Sequence, residues 1–338
     1  MDNNNPKAIN NAVQMILNSY PDYSNNAISW SHNFTWDKII NQYIKKDKID
    51  LVEAPDWEGI HAFCNFTVPL ITRIHGSVTY FNHLQKIKNS RFLFFLEKRA
   101  MKKSQKIVAV SNFSGELTKK VFSLKNITIN TIYNGINPHI FEPTNNNTDK
   151  KNVLYFGTLA RKKGVIALAH IFNKLHKINP NATLTLIGKD TIDYIEKKST
   201  WKLIETILTP HALKKVYYQG VIPYEKMVSK IAYSNVCVFP SFAEAFPISW
   251  LEAMAMQKPI VASSIGWAKE AIKNETSGLL EHPENDIAFA KKINLLLTDT
   301  LLAAKLAKNA RNSVLKNFNQ DTLIQQNINM YKKVINDK

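Results

Sequence analysis

The stretch Val236–Ser263, VCVFPSFAEAFPISWLEAMAMQKPIVAS, reads as strand, sharp loop, helix and strand in immediate succession. Val236–Phe239 is a short apolar run closed by Pro240 and Ser241, which suits a buried strand. Ala243–Phe246 form the loop. Pro247 suits the first turn of a helix, where its missing N–H has no partner to lose. Trp250, Leu251, Met254 and Ala255 recur at three- and four-residue spacing and give that helix an apolar stripe. Pro259 closes a polar turn, and Ile260–Ala262 begins the next strand. Two carboxylates sit in this unit, Glu244 in the loop and Glu252 about one turn into the helix.

A helix start presents unpaired N–H groups and the positive end of a dipole. The amides of Phe246, Ile248 and Ser249 are therefore expected to hold an anion in the crevice beyond the strand ends. A neighbouring carboxylate can accept hydrogen bonds from a ribose diol. The unit thus has the chemistry to gather a diphosphate, a ribose and a sugar. The plainer alternative is an ordinary strand–helix–strand unit carrying two surface glutamates.

Outward from this unit the second half is regular. Strand-like runs recur at Val153–Phe156, Thr183–Ile187, Val216–Gln219, Pro259–Ala262 and Leu279–Glu281, with helical segments between them. Such alternation predicts a parallel, doubly wound sheet. Gly157, Gly188, Gly220 and Pro240 end four of the strands, where backbone turns at the ligand edge. In Gly157-Thr-Leu-Ala-Arg-Lys-Lys-Gly164 the glycines allow close approach of a phosphate, and Arg161 and Lys163 offer cationic donors to it. Gly188 and Gly220-Val221 are expected to frame a base. Residues 285–297, 301–318 and 321–335 read as helices.

The first half is less explicit. Gly is absent from positions 1–58. Ala27–Trp30 reads as a strand, Trp36–Ile44 as a helix and Ile49–Glu53 as a buried strand, followed by Glu53-Ala-Pro-Asp-Trp-Glu-Gly59. Asp56 and Glu58 are alternate positions in a turn and point in divergent directions, which disfavours a general acid/base pair; a turn and capping cluster is the alternative. Strand Pro69–Ile74 ends in Arg73-Ile-His75-Gly76-Ser77, which sets a histidine at a strand tip. Tyr80–Gln105 reads as one long helix or two, rich in Lys and Arg and with Leu84, Ile87, Phe94, Phe95 and Met101 as apolar surface. Lys106–Val110 is a strand, Ser111 an N-cap for Asn112–Phe122, and Ile127–Tyr133 a further strand before Asn134-Gly135. The polar run Phe141–Asn152 (FEPTNNNTDKKN) reads as a linker.

The run E-A-F-P-I-S-x-L-E-A-M-A followed by K-P-I-V-A-S resembles the E-x7-E signature of retaining glycosyltransferases of family 4. EAPDWEG, RIHGS, VAVS, YNGI and the Lys163-Gly164 end of the G-R-L-x-x-x-K-G loop resemble the same family, over about residues 49 to 330. The resemblance implies an α/β GT-B fold, with two Rossmann-like, doubly wound domains facing across a cleft. It divides the chain into an acceptor-side domain at 1–145, a nucleotide-sugar-binding domain at 146–320 and a returning helix at 321–338. It also implies hexosyl transfer from a nucleotide-linked donor, UDP or GDP most often, to a glycan, lipid-linked or small-molecule acceptor, as in cell-surface polysaccharide biosynthesis. His75 and Glu244 become catalytic. Gly157, Arg161, Lys163, Gly188, Gly220, Val221, Ala245, Phe246, Pro247, Ile248, Ser249 and Glu252 bind the donor. No metal and no other cofactor is called for.

Two departures stand out. Thr158 occupies the family's arginine position, and Arg161 three residues on is expected to substitute. The Gly-rich loop with which the family opens is missing, so a shortened first domain is expected, and a nucleotide-sugar-binding subunit without turnover is the alternative. Trp267 replaces a second glycine in Ser263-Ser-Ile-Gly266-Trp-Ala-Lys-Glu270, where Glu270 is expected to cap a helix.

The 338 residues suffice for two domains. Net charge is +17, which suits nucleic acid, an anionic membrane surface or an anionic substrate. No nucleic-acid motif accompanies it, so a basic nucleic-acid-binding protein is the remote alternative. The basic segment 86–103 is a candidate for peripheral contact with an anionic membrane. Cys64 and Cys237 lie in apolar settings and read as core thiols. The start, MDNNNPK, lacks an apolar core, and no run approaches the about 18 apolar residues of a membrane span. A cytoplasmic location, with peripheral attachment at the inner face of the membrane as a variant, is the expectation.

Overall fold

Short apolar runs alternating with amphipathic helices build two parallel sheets in the computed structural model, which describes residues 36–144 and 151–337. The first half runs α1 (Trp36–Asp47), β1 (Val52–Pro55), β2 (Leu70–Ile74), α2 (Val78–Leu84), α3 (Arg91–Lys103), β3 (Lys106–Ala109), α4 (Asn112–Phe122) and β4 (Ile129–Thr131). The second half begins with β5 (Asn152–Phe156), α5 (Val165–Ile178), β6 (Thr183–Ile187), α6 (Thr200–Ile207), α7 (Pro210–Leu213) and β7 (Val216–Tyr218). It continues with α8 (Met227–Ala232), β8 (Val236–Phe239), α9 (Ile248–Ala255), β9 (Ile260–Ser263), α10 (Ala268–Ala271), β10 (Leu279–Glu281), α11 (Asp286–Thr298), α12 (Thr300–Asn317) and α13 (Gln320–Asn336).

The first sheet has the order β1-β2-β3-β4 and the second β10-β9-β8-β5-β6-β7. Their interior strands are apolar on both faces because helices cover both sides; β8 and β9 are buried at every residue. In the second sheet the chain winds one way from β5 through β6 to β7, then the other way from β8 to β10. The reversal falls between β5 and β8, which pair with Val153 opposite Val236. Open parallel sheets bind ligands outside the carboxyl ends of the strands at such a switch point. The loops leaving β5 and β8 are Gly157–Gly164 and Pro240–Pro247.

Some boundaries differ from the sequence reading. The first strand starts at Val52, not Ile49, because Lys48 takes a left-handed φ of 52° and the Ile49 N–H turns back to the Ile44 carbonyl. The basic segment divides into α2 and α3, whose first turns are capped by the side chains of Ser77 and Ser90. Met101 lies in the core, and Phe94 stacks on Phe122 at 5.1 Å, so neither serves as surface. The strand read at Ala27–Trp30 and the boundary at 145/146 lie outside the described residues.

The last helix, α13, packs on the first sheet. Leu323 is buried with Ile71, Val108 and Ile132, and Met330, Tyr331 and Val334 extend that contact. Arg73 donates to Asn327 at 2.6 Å, and the Tyr331 hydroxyl donates to Glu53 at 2.8 Å. The chain thus closes on the half in which it began.

Candidate active site

The two loops at the switch point are tied together by backbone. The Lys162 carbonyl accepts the N–H groups of Phe242 at 2.8 Å and Ala243 at 3.2 Å. Gly164 has φ +75° and lies directly against the Pro240 carbonyl, where any β-carbon would collide. This contact draws Lys163 onto Glu244: its ammonium nitrogen lies 2.8 Å from both carboxylate oxygens. The Ser241 hydroxyl donates to the same carboxylate at 3.0 Å. Glu244 is only 6% exposed, so its charge is held in a largely dry setting by Lys163.

Glu252 sits inside α9, also 6% exposed. Burial pushes its pKa above the usual carboxylate range, and the Tyr224 hydroxyl, donating at 2.6 Å, works against that rise. Pro247 is the N-cap of α9 rather than its first helical residue. The helix's first amides, at Ile248 and Ser249, have no partner within it. Both acids of this unit are thus held by a protein group, Glu244 by Lys163 and Glu252 by Tyr224.

The first half reaches this loop with three side chains. The Tyr80 hydroxyl donates to the Glu244 carbonyl at 2.7 Å, the Ser111 hydroxyl to the Ala245 carbonyl at 2.7 Å, and the Asn134 amide to the Phe246 carbonyl at 3.1 Å. Ser111 follows β3 and Asn134 follows β4, so the carboxyl edges of the two sheets meet here. Because carbonyls 244 and 245 point toward the first half, the N–H groups of Ala245 and Phe246, on the opposite sides of those peptide planes, point away from it. Glu270 caps a helix, and that helix is α4 of the opposite half: it accepts the N–H groups of Asn112 at 2.8 Å and Phe113 at 2.7 Å, plus the Tyr133 hydroxyl at 3.0 Å.

His75 is exposed at the tip of β2, and its backbone N–H donates to Asp56 at 3.0 Å. Although the residue stays exposed, protein packed around the ring removes part of its hydration, and this, then the nearby Arg73 cation, lowers the imidazole pKa and favours the neutral ring. Among the described residues no hydrogen bond joins that ring to Glu244. Asp56 and Glu58 diverge: Asp56 turns inward, 1% exposed, while Glu58 faces out. Burial raises the Asp56 pKa to about 7.

Arg161, expected at the donor phosphates, is engaged by a protein carboxylate, as Lys163 is. Its guanidinium forms a two-pronged contact with Asp193 at 2.8 and 2.9 Å, and holds that acid below the usual carboxylate range. Asp193 also accepts the backbone N–H groups of Ile195 and Glu196. Asp193 thus takes the charge of Arg161, while Glu244 takes that of Lys163. Gly157 and Gly188 lie at the ends of β5 and β6 with φ of +143° and +145°, and Gly220 follows β7 with Val221 72% exposed beside it.

Sequence reasoning missed Tyr224, Asp193, Tyr80 and the reach of Ser111 and Asn134. Their partners lie 28 to 164 positions away, and no local pattern marks such pairs. A cavity of about 830 Å³ lined by Gln105, Lys106, Asn130, Met330 and Lys333 lies beside α13 and contains none of the expected site residues.

Comparison with known proteins gives two family matches. The model of glycosyl transferases group 1 matches residues 137–313, and that of Glycosyltransferase Family 4 matches residues 3–140. An uncharacterized glycosyltransferase of Methanocaldococcus jannaschii is 26% identical over 341 residues, spanning 94% of this chain and 85% of its own length. Glycogen synthase of Mycobacterium tuberculosis is 26% identical over 290 residues, spanning 83% of this chain and 68% of its own. Among solved structures, sucrose-phosphate synthase of Thermosynechococcus elongatus superposes with a TM-score of 0.77 at 21% identity, covering 90% of this chain and 78% of its own. The Anabaena protein HepE, in complex with UDP and glucose, gives a TM-score of 0.72 at 20% identity, covering 90% and 83%. The likeness to these two structures is one of fold, the GT-B arrangement of two Rossmann-like sheets.

Proposed function

This chain belongs to the glycosyl transferases of group 1, and from that premise we propose that it takes a sugar from a nucleoside-diphosphate donor and passes it to a hydroxyl acceptor with retention of configuration. The observation that carries the reading is the meeting of Lys163, Glu244 and the start of α9 at the switch point between β5 and β8. In this reading residues 1–145 form the acceptor side, 146–320 the donor side, and 321–338 the returning helix. Glu252 accepts the ribose hydroxyls. Lys163 neutralises the diphosphate, so no metal or other cofactor is assigned. Glu244 and the Ala245–Ser249 backbone orient the sugar, and Gly157, Gly188 and Gly220-Val221 border the base. UDP- and GDP-linked donors are the two classes proposed, and the UDP held by HepE supports the first. Arg161 braces the 157–164 loop through Asp193 instead of touching the donor.

The bond from the anomeric carbon to the diphosphate oxygen breaks, the acceptor oxygen bonds to the same face of that carbon, and its proton passes to the departing diphosphate. Neutral His75 supports the positive charge that develops on the sugar from the facing half. Catalysis is then chiefly positioning and electrostatic stabilisation. The basic segment 86–103 is proposed to face an anionic membrane, on the inner side of a cytoplasmic enzyme.

Thermal stabilisation and calorimetry against UDP, GDP and their sugars test the donor site, and labelled donors test transfer. Absence of stabilisation by every nucleotide sinks the proposal. Donor binding without hydrolysis or transfer identifies a binding subunit instead.

A further inference from the structure

The surface flanking the first half carries an arrangement that donor chemistry does not use. Helix α3 exposes Phe92 (68%) and Phe95 along one side, with Arg99 and Lys102 continuing the same stripe at helical spacing. A second element adds to it. The turn Trp57–Gly59 and the residues after it expose Trp57, Ile60 (60%) and Phe63 (59%). Gly59, at φ +62°, lies hard against the Leu96 backbone and so fixes the turn beside α3. Phe63 approaches Phe95 with ring centroids 6.5 Å apart, and the Arg99 guanidinium lies over Phe63 at 4.9 Å. The two elements thus meet through Phe63, Phe95 and Arg99, with Trp57, Ile60 and Phe92 exposed on the same two elements.

Cations surround this contact. Asn65, Phe95, Lys98, Arg99, Lys102 and Lys103 border an open depression of about 630 Å³. The one carboxylate of α3, Glu97, is fully buried and accepts the N–H groups of Glu58, Val78 and Thr79, so it does not offset these charges at the surface. Glu58 is the acid exposed on the turn.

We propose that this two-element face docks on an anionic lipid surface, with Trp57, Ile60, Phe63, Phe92 and Phe95 entering the headgroup–acyl boundary and the depression between Lys98 and Lys102 receiving a headgroup phosphate. Large apolar side chains standing among cations match both layers of such a surface, since the apolar groups leave water while the cations stay at the headgroups. A nucleic acid satisfies the cations but leaves Ile60 and the rim phenylalanines without an apolar partner. The face is continuous with the cleft: Asp56, the residue before the turn, is bonded to the backbone of His75. Resting on the glycosyltransferase reading, the acceptor is then a lipid-linked one, presented from the membrane to the side of the cleft that carries His75.

Vesicle flotation without nucleotide tests the face separately from the donor site. The full chain is expected to float with phosphatidylglycerol–phosphatidylcholine vesicles and to remain with the soluble fraction when phosphatidylcholine is used alone. Lys98→Gln with Lys102→Gln should weaken binding about thirtyfold, roughly fivefold per charge. Phe92→Ser with Phe95→Ser should weaken it about tenfold or more, because exposed side chains lose an apolar environment they reach only at the bilayer. Both pairs lie on the surface, and unchanged nucleotide-induced thermal stabilisation certifies their fold. Loss with the charge pair but not the phenylalanine pair would overturn the proposal in favour of diffuse attraction by net charge. No flotation at low salt, or tighter binding to an oligonucleotide abolished by the same variants, would overturn it too. If flotation succeeds while no nucleotide binds, the face stands and the donor reading falls.

Discussion

Glu244→Gln separates two roles of one side chain. Lys163 is bound to Glu244 at 2.8 Å, with side-chain exposures of 28% and 8%. A diphosphate that uses Lys163 must first compete with that carboxylate. At an effective dielectric near 20, two unit charges about 4 Å apart attract by about 4 kcal/mol. Desolvation cancels part of this, and coupling energies for close pairs begin near about 1.5 kcal/mol. A net cost of about 2 kcal/mol for releasing the lysine corresponds to about thirtyfold in affinity. Glutamine keeps the shape and can still accept from Ser241, but leaves Lys163 without its anion. The variant should therefore bind the nucleoside diphosphate about thirtyfold more tightly, measured by calorimetry at fixed ionic strength, while glycosyl transfer falls. Lys163→Ala should lose affinity in the same titration. Weaker or unchanged binding by Glu244→Gln would refute the idea that Lys163 is the diphosphate ligand held in check by its neighbour.

The ribose contact predicts a pH dependence. Glu252 must be ionised to accept two hydroxyls, so donor affinity should fall as pH drops through its raised pKa. Tyr224→Phe removes the hydrogen bond that opposes this rise and should move the fall to higher pH; an unmoved midpoint counts against Glu252. Arg161→Ala leaves Asp193 buried without its cation and should lower unfolding stability in urea by about 3 kcal/mol with little change in donor affinity. Asp56 has a folded pKa raised to about 7, so the native state binds the extra proton between about pH 4 and 7, and stability should decline as pH rises across that window. Asp56→Asn should flatten the decline, as read from chemical unfolding at several pH values. Tyr80→Phe should hasten release of the nucleoside diphosphate, read as a faster off-rate in displacement kinetics, at a cost of about 1 kcal/mol in unfolding stability; an unchanged off-rate would remove Tyr80 from the cradle.

The second sheet was legible in the sequence because its six strands are mostly apolar and four of them end at glycine or proline. Val236–Phe239 and Thr183–Ile187 have the boundaries read from the pattern. The first sheet was harder. Its edge strands are short and mixed in polarity, and Ile49 belongs to a turn that a left-handed Lys48 creates. Within the site, the sequence shows which residue types stand on the loops but not how charges are divided among them. Arg161 and Lys163 are two positions apart and equally cationic. Only the folded chain sets one against Asp193, 32 positions on, and the other against Glu244, 81 positions on. Tyr224 was invisible for the same reason: a tyrosine beside Pro223 carries no mark of the carboxylate it serves.

The hydroxyls of Tyr80 and Ser111 and the amide of Asn134 grip three successive peptide oxygens from across the molecule. The first two of those oxygens share rigid planes with the N–H groups of Ala245 and Phe246 on the far side, and the third precedes Pro247, which has no N–H. If the halves swing apart, the planes lose their anchors and are released to rotate, so the cradle for the leaving group slackens as the molecule opens. Shutting restores it. On the proposed function, departure of the spent nucleotide and parting of the halves thereby become one mechanical event, timed by three hydrogen bonds that never touch the substrate.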